Sequence, residues 1–119
     1  MKKTLVIGAS LKEERYSNMA IKLLRTNNID VLAVGLREGS VADVKINKDK
    51  TVFENIHTVT MYVNPQRQSE FYDYVIALKP QRVIFNPGTE NQDFIDLLNK
   101  NNIEIVENCT LVMLNSGIF

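Results

Sequence analysis

Residues 4–10 read Thr-Leu-Val-Ile-Gly-Ala-Ser, and this stretch decides the fold. Its first four residues form a short apolar run rich in β-branched side chains, which predicts a strand buried on both faces. Gly8 then lets the backbone turn sharply. After a polar loop from Leu11 to Tyr16, apolar residues recur at helical spacing behind a candidate N-cap at Ser17. The stretch therefore predicts a buried strand, a glycine turn and a helix in succession.

The same alternation continues along the chain. Further apolar strands are predicted at 31–34, 58–63, 82–85 and 103–106, with a short extended piece at 44–46, a helical turn over 52–56, and helices after Pro65, around Phe94 and over 110–115. Continuous apolar strands alternating with helices predict an α/β fold in three layers, with a doubly wound parallel sheet of about five strands. The residues leave two strand orders open, flavodoxin-like 2-1-3-4-5 and Rossmann-like 3-2-1-4-5.

Length and composition limit the class of protein. The chain has 119 residues, which fits a single domain, and its 14 basic and 14 acidic residues cancel. This balance, without a basic stripe, argues against binding to nucleic acid. The apolar run after Lys2 and Lys3 is too short for a signal peptide or a membrane span. The lone cysteine, Cys109, cannot form an internal disulfide, so we expect a cytoplasmic protein.

Ligands of such sheets bind at the carboxyl ends of the strands. The first of these junctions is Gly8-Ala9-Ser10. There the free N–H groups and dipole of the helix that follows would favour an anion, and Arg15 could contact a phosphate. A plain loop capped by Ser17 explains the same residues without a ligand. Neither a full dinucleotide glycine motif nor a Walker motif is present.

The other junctions offer fewer charged groups. The second, Gly35-Leu36-Arg37, lacks the acid that usually holds the ribose of NAD, since Glu38 comes one step late. Arg37 could face a ribose phosphate or simply lie in water. Asn64 and Asn86 end the next two predicted strands, and both precede a proline that forms a turn.

Groups for catalysis are scarce. His57 is the only histidine and precedes the third predicted strand, so we expect it at the edge opposite the ligand and in a structural role. One cysteine and one histidine do not make a zinc site. Cys109 is placed near the ligand edge, either as a reactive thiol or as small buried packing.

With these segments placed, the sequence resembles the CoA-binding domain family, as in the N-terminal domain of the succinyl-CoA synthetase α subunit. The matching residues are Gly8-Ala9-Ser10, Arg15-Tyr16-Ser17, Val34, Val52-Phe53, Gly88 and Cys109. The chain departs from the family at Gly35-Leu36, where Asn-Pro is frequent. The resemblance implies the strand order 3-2-1-4-5 and one CoA-binding-like Rossmann domain over residues 1–119.

The resemblance also implies a function: a module that binds coenzyme A or an acyl-CoA without catalysis of its own. The alternatives are an NAD(P)-type dinucleotide-binding enzyme and a regulatory or assembly subunit with a vestigial pocket; no protein partner can be named. The implied binding residues are Gly8, Ala9, Ser10, Arg15, Tyr16, Ser17, Asn18, Gly35, Leu36, Arg37, Asn64, Asn86 and Gly88. Gly8→Val is expected to abolish binding and to leave the fold intact.

Overall fold

The first strand, β1 (Thr4–Ala9), occupies the centre of the sheet. In the computed structural model, which describes residues 2–119, the side chains of Leu5, Val6 and Ile7 are fully buried. β1 pairs in parallel with β2 (Val31–Gly35) on one side and with β5 (Thr58–Met61) on the other. A strand covered on both faces must be apolar at every position, which explains its uninterrupted hydrophobic run.

Four further strands extend the sheet on both sides. They are β3 (Gly39–Val41), β4 (Val44–Asn47), β6 (Arg82–Phe85) and β7 (Glu104–Glu107). The order is β3-β4-β2-β1-β5-β6-β7, and every pairing is parallel except that of β3 with β4. The predicted α/β class with a mostly parallel sheet is confirmed. The predicted count of about five strands is wrong, since the sheet has seven.

The predicted strand order needs a related correction. It placed the strand that begins at Thr58 beside β2, but this strand lies beside β1. The place next to β2 belongs to β4, where only an extended piece had been predicted. β4 has four residues with Val44 and Ile46 buried and Lys45 exposed, so it lacks the continuous apolar run that marks the central strands. With β4 counted as the third strand, the parallel strands follow the Rossmann order.

Helices cover both faces of the sheet. They are α1 (Tyr16–Thr26), a 3-10 helix (Pro65–Phe71) that leads into α2 (Tyr72–Leu78), α3 (Gln92–Lys100) and α4 (Thr110–Asn115). Tyr74, Val75 and Leu78 form the buried face of α2, and the helix stops at Lys79, which adopts a left-handed conformation before Pro80. The helical turn predicted over 52–56 is absent; that segment contains only a bend.

Two cores separate the three layers. Under α1 and α4, Val6, Ile21 and Leu24 belong to one cluster together with residues of β2 and β4. Under α2 and α3, the other cluster includes Phe85 and Phe94, whose rings meet edge to face with centroids 5.7 Å apart. Among residues 2–119, no helix is both long and apolar enough to cross a membrane.

Candidate functional site

The carboxyl ends of the parallel strands bring the predicted junctions to one edge of the sheet. β2, β1, β5 and β6 are parallel neighbours in that order, so the turns that follow them lie side by side. The direction of winding reverses between β1 and β5, because the chain moves to one side of β1 first and to the other side later. Such a reversal opens a crevice outside the strand ends, where α/β proteins bind their ligands. Gly8, the last residue but one of β1, lies beside this crevice.

Packing within the protein explains why two of the predicted site residues are glycines. Gly8 has a φ of +93°, and a Cβ there would lie 2.9 Å from the main-chain carbon of Tyr62 and 3.1 Å from the nitrogen of Val63. At Gly35, a Cβ would lie 2.3 Å from the carbonyl oxygen of Ala9. Both glycines therefore let neighbouring chain segments approach closely. The expectation that Gly8→Val would leave the fold intact is wrong, because the larger side chain would strain this contact.

The first turn of α1 points free main-chain donors at the edge. The N-cap is Arg15 and not Ser17, and no side chain caps the helix. Ser17 lies inside the first turn and is buried. That turn also carries no acidic residue. An uncapped helix start of this kind favours a negatively charged ligand, because the helix dipole is positive there and, within residues 2–119, the main-chain N–H groups of Tyr16 and Ser17 have no acceptor, whereas that of Asn18 donates to Arg15.

Asn18 links the first turn of α1 to the end of β1. Its side chain is 2% exposed, and its Nδ2 donates to the carbonyl oxygen of Ser10 at 2.9 Å. Its Oδ1 is buried and has no hydrogen-bond partner among residues 2–119. Few buried polar atoms in native proteins are left in this state. Asn18 therefore fixes the loop after β1 and leaves one acceptor unused at the candidate site.

The charged and apolar groups around this turn are exposed. Arg15 and Tyr16 stand at the start of α1 in contact with solvent, and Leu36 and Arg37 do so after β2. An exposed guanidinium near an uncapped helix start adds positive charge where a phosphate would rest. The structure thus places the basic residues of the first two junctions on the accessible side of the edge.

The Asn86 side chain forms its hydrogen bonds within the protein. It is 2% exposed, and its Nδ2 donates to the Thr60 hydroxyl at 2.7 Å and to the Met61 carbonyl at 2.9 Å. Its Oδ1 accepts from the main-chain N–H of Thr110 at 2.9 Å, at the start of α4. These bonds connect β5, β6 and α4, so the Asn86 side chain stabilises this edge of the sheet. Gly88, which follows it, has a φ of +90° and faces open space.

Gln68 is a second buried amide at this edge, and the sequence analysis missed it. Its side chain is fully buried, and its Nε2 donates to the carbonyls of Val63 at 2.8 Å and Thr89 at 2.7 Å. Its Oε1 accepts from Asn91, whose own Oδ1 caps α3 at the N–H of Phe94. Gln68 therefore joins the turns after β5 and β6. It lies in a polar 3-10 segment without periodicity, so the sequence carries no signal of its burial.

Tyr62 and Cys109 lie at the same edge, on the side of α1 and α4. The half-buried Tyr62 packs against the core under these helices, and its buried hydroxyl has no hydrogen-bond partner in the part of the chain that the structure describes. Burial raises the pKa of Tyr62 to about 12, so its phenol stays protonated at neutral pH. Cys109 is half-buried and immediately precedes α4. Its position near the ligand edge agrees with the prediction.

His57 lies at the opposite, amino edge. It precedes β5, and its Nδ1 is 2.7 Å from the hydroxyl of Thr58. Burial lowers the pKa of His57, and the nearby charges of Arg82 and Lys2 lower it further. Two open cavities of about 380 and 300 Å³ also lie on the amino side, and none of the predicted binding residues lines them. Within the described residues, no group of three metal-ligating side chains comes together.

This combination of a doubly wound parallel sheet, a glycine turn and an uncapped first helix defines a Rossmann-like α/β protein. Residues 2–115 match the family described as CoA binding domain, and the chain belongs to this family. A comparison with curated proteins gave no match.

Solved structures share the fold of this chain. An uncharacterised protein is 45% identical with a TM-score of 0.97, over 100% of this chain and 98% of the other. A hypothetical protein from Pyrococcus horikoshii OT3 is 24% identical with a TM-score of 0.87, over 98% of this chain and 83% of the other. A protein from Thermus thermophilus is 19% identical with a TM-score of 0.86, over 99% and 91%. The last two show that the fold is shared.

Proposed function

We propose that the protein is a binding module for coenzyme A or an acyl-CoA. The pyrophosphate rests on the segment from Gly8 to Ser17 and on the first turn of α1. The observation that carries this proposal is the uncapped start of α1, which has no acidic residue in its first turn and opens at the crevice beside β1. Membership of the CoA binding domain family supports it.

The remaining binding residues surround this centre. Arg15 supplies charge to the pyrophosphate, and the Asn18 carboxamide orients the loop at Ser10. The exposed residues Leu36 and Arg37 lie near the ribose or adenine. Asn64 and Gly88 line the crevice beyond β1, while Asn86 supports it from within.

The module binds its ligand without catalysing a reaction of its own. A general base near neutral pH is the group that such a reaction would most often need. The phenol of Tyr62, with a pKa of about 12, is a hydrogen-bond donor and not a base at pH 7. His57 lies at the far edge of the sheet, away from the proposed ligand.

Calorimetric titration with coenzyme A, acetyl-CoA, NAD and ATP tests this proposal. We expect saturable binding of coenzyme A or its acyl form, and weaker binding of NAD, because no acid directly follows Gly35. No saturable CoA binding at millimolar ligand would refute it. Tighter binding of NAD together with nicotinamide-dependent turnover would instead establish the dinucleotide enzyme. Failure of all four ligands, with association that depends on protein concentration, would favour the assembly subunit.

A further inference from the structure

The unused acceptor of Asn18 is the strongest unexplained feature at the candidate site. The side chain is 2% exposed, so water in bulk cannot solvate its Oδ1, and residues 2–119 supply no donor to it. It lies in the first turn of an eleven-residue helix whose start is uncapped. Two independent features, the free helix donors and the unpaired carboxamide oxygen, therefore meet at one place.

Rotation of the carboxamide does not relieve this oxygen. The Nδ2 group donates to the Ser10 carbonyl at 2.9 Å. Exchange of the two atoms would place Oδ1 against the Ser10 oxygen, which is also an acceptor, and would break that bond. The orientation of Oδ1 is therefore fixed, and a donor that satisfies it must come from outside the described part of the chain.

The free helix donors and the unpaired carboxamide oxygen bind different chemical groups of a ligand. The helix donors favour phosphate oxygens, which accept hydrogen bonds. A carboxamide oxygen needs an O–H or N–H group. An ionised phosphate diester has no such group. A ligand that satisfies both must therefore carry a hydroxyl or an amide next to its phosphate.

We propose that Asn18 is a specificity-determining residue, whose Oδ1 accepts a hydrogen bond from a hydroxyl or amide adjacent to the phosphate of the ligand. This inference rests on the proposed function and deepens it, because coenzyme A carries both hydroxyl and amide groups beside its pyrophosphate. The residues of the loop from Leu11 to Arg15 are all exposed. Because Oδ1 is buried in the unliganded protein, the proposal requires this loop to move when the ligand binds, while the bond from Nδ2 keeps Ser10 in place.

The test compares two ligands on two variants. Coenzyme A is set against dimethyl pyrophosphate, a fully ionised diester that has neither a hydroxyl nor an amide. Asn18→Leu keeps the size of the side chain and removes both the acceptor and the Nδ2 donor to Ser10, and dimethyl pyrophosphate reports the effect of losing the donor. Asn99→Leu, the same change at an exposed position of α3, is the matched control. Affinities are measured by NMR titration, and the fold is checked by circular dichroism.

We expect Asn18→Leu to weaken the binding of both ligands through loss of the bond to Ser10, and to weaken the binding of coenzyme A about tenfold further through loss of the acceptor. Asn99→Leu should change neither. An equal loss for both ligands would show that Asn18 acts only through the geometry of the helix start. No loss for either would show that a water molecule satisfies Oδ1. Both outcomes overturn the inference.

If Asn18→Leu does not fold, an NMR measurement on the unmodified protein tests the same inference. The Asn18 carboxamide ¹³C resonance of the unmodified protein should move on addition of coenzyme A as its oxygen accepts a hydrogen bond. It should stay in place on addition of dimethyl pyrophosphate. Equal movement with both ligands would contradict the inference. If the unmodified protein binds no coenzyme A at all, the proposed function itself fails, which is a separate result.

Discussion

Gly8 and Tyr62 approach so closely that a Cβ on Gly8 would lie 2.9 Å from the main-chain carbon of Tyr62. Gly8→Ala should therefore destabilise the protein by about 2–4 kcal/mol, from overpacking and from an unfavourable backbone conformation together. Gly88→Ala is the matched control, because Gly88 has nearly the same φ, +90°, with no atom within 4 Å of the added Cβ. Denaturant unfolding of both variants separates the two effects. Equal losses would show that the contact with Tyr62 contributes nothing.

Arg15 should contribute to CoA affinity without contributing to stability. It is exposed, and no ion pair involving it is found within residues 2–119. We expect Arg15→Ala to weaken the binding of coenzyme A about tenfold at low salt, because a charge-assisted hydrogen bond is lost. The unfolding midpoint should stay unchanged. Lys100→Ala, at the end of α3, removes the same charge far from the site. Calorimetry that finds the same affinity for both variants would contradict this role of Arg15.

Much of the fold could be predicted from the sequence, because the central strands are marked by uninterrupted apolar runs. β1, β2 and β6 were found in this way nearly to the residue. β4 was not recognised as a strand, since only Val44 and Ile46 of its residues are buried and this gives a weak signal. The predicted position of β5 in the sheet depended on whether β4 was counted as a strand. An error over four residues thus moved a whole strand to the wrong side of β1.

The candidate site was predicted in part. The junctions at Gly8 and Gly35 follow from the topology, since parallel strands end at the same edge. The internal roles of Asn86 and Gln68 could not be foreseen. Each is defined by carbonyl and hydroxyl groups that are distant in sequence, such as Thr89 for Gln68, which lies 21 positions away. Sequence periodicity carries no information about such partners.

Gln68 should be important for stability. Gln68→Met keeps much of the volume but leaves the buried carbonyls of Val63 and Thr89 without their donor. We expect a loss of at least about 2 kcal/mol in the free energy of unfolding. Gln66→Met, at an exposed position of the same 3-10 helix, should have little effect. Urea denaturation gives both values, and similar stabilities for the two variants would contradict the role of Gln68.

Two tyrosines should make stability fall at high pH. Burial raises the pKa of both Tyr62 and Tyr74 to about 12, above the ordinary value of 10.0. The unfolded chain therefore ionises first, so stability is unaffected below pH 10 and declines between about pH 10 and 12. Absorbance at 295 nm should show two tyrosines titrating late. Tyr62→Phe should remove one of them and reduce the decline, and an unchanged titration curve would count against the assignment.

Protonation of His57 should make stability fall in acid. Its pKa in the folded protein is lowered, chiefly by burial and also by Arg82 and Lys2, so the unfolded chain takes up a proton first as the pH falls. The stability associated with neutral His57 is complete above the ordinary pKa of 6.5 and is lost as the pH falls towards the folded value. Thermal unfolding between pH 7 and 5 should therefore show a smaller decrease for His57→Gln than for the unmodified protein. Parallel curves would contradict this.

The outer strand β7 has a consequence for solubility. It forms one end of the sheet, so one side of its backbone has no strand partner among residues 2–119. Two copies that paired antiparallel through this edge, with Ile105 opposite Val106, would place Glu104 of one copy opposite Glu107 of the other at both ends. Like charges directly opposite each other destabilise such a pair, which protects the edge against aggregation while the carboxylates are ionised. In acid the carboxylates are protonated and this repulsion is lost, so copies of the protein can associate through the edge.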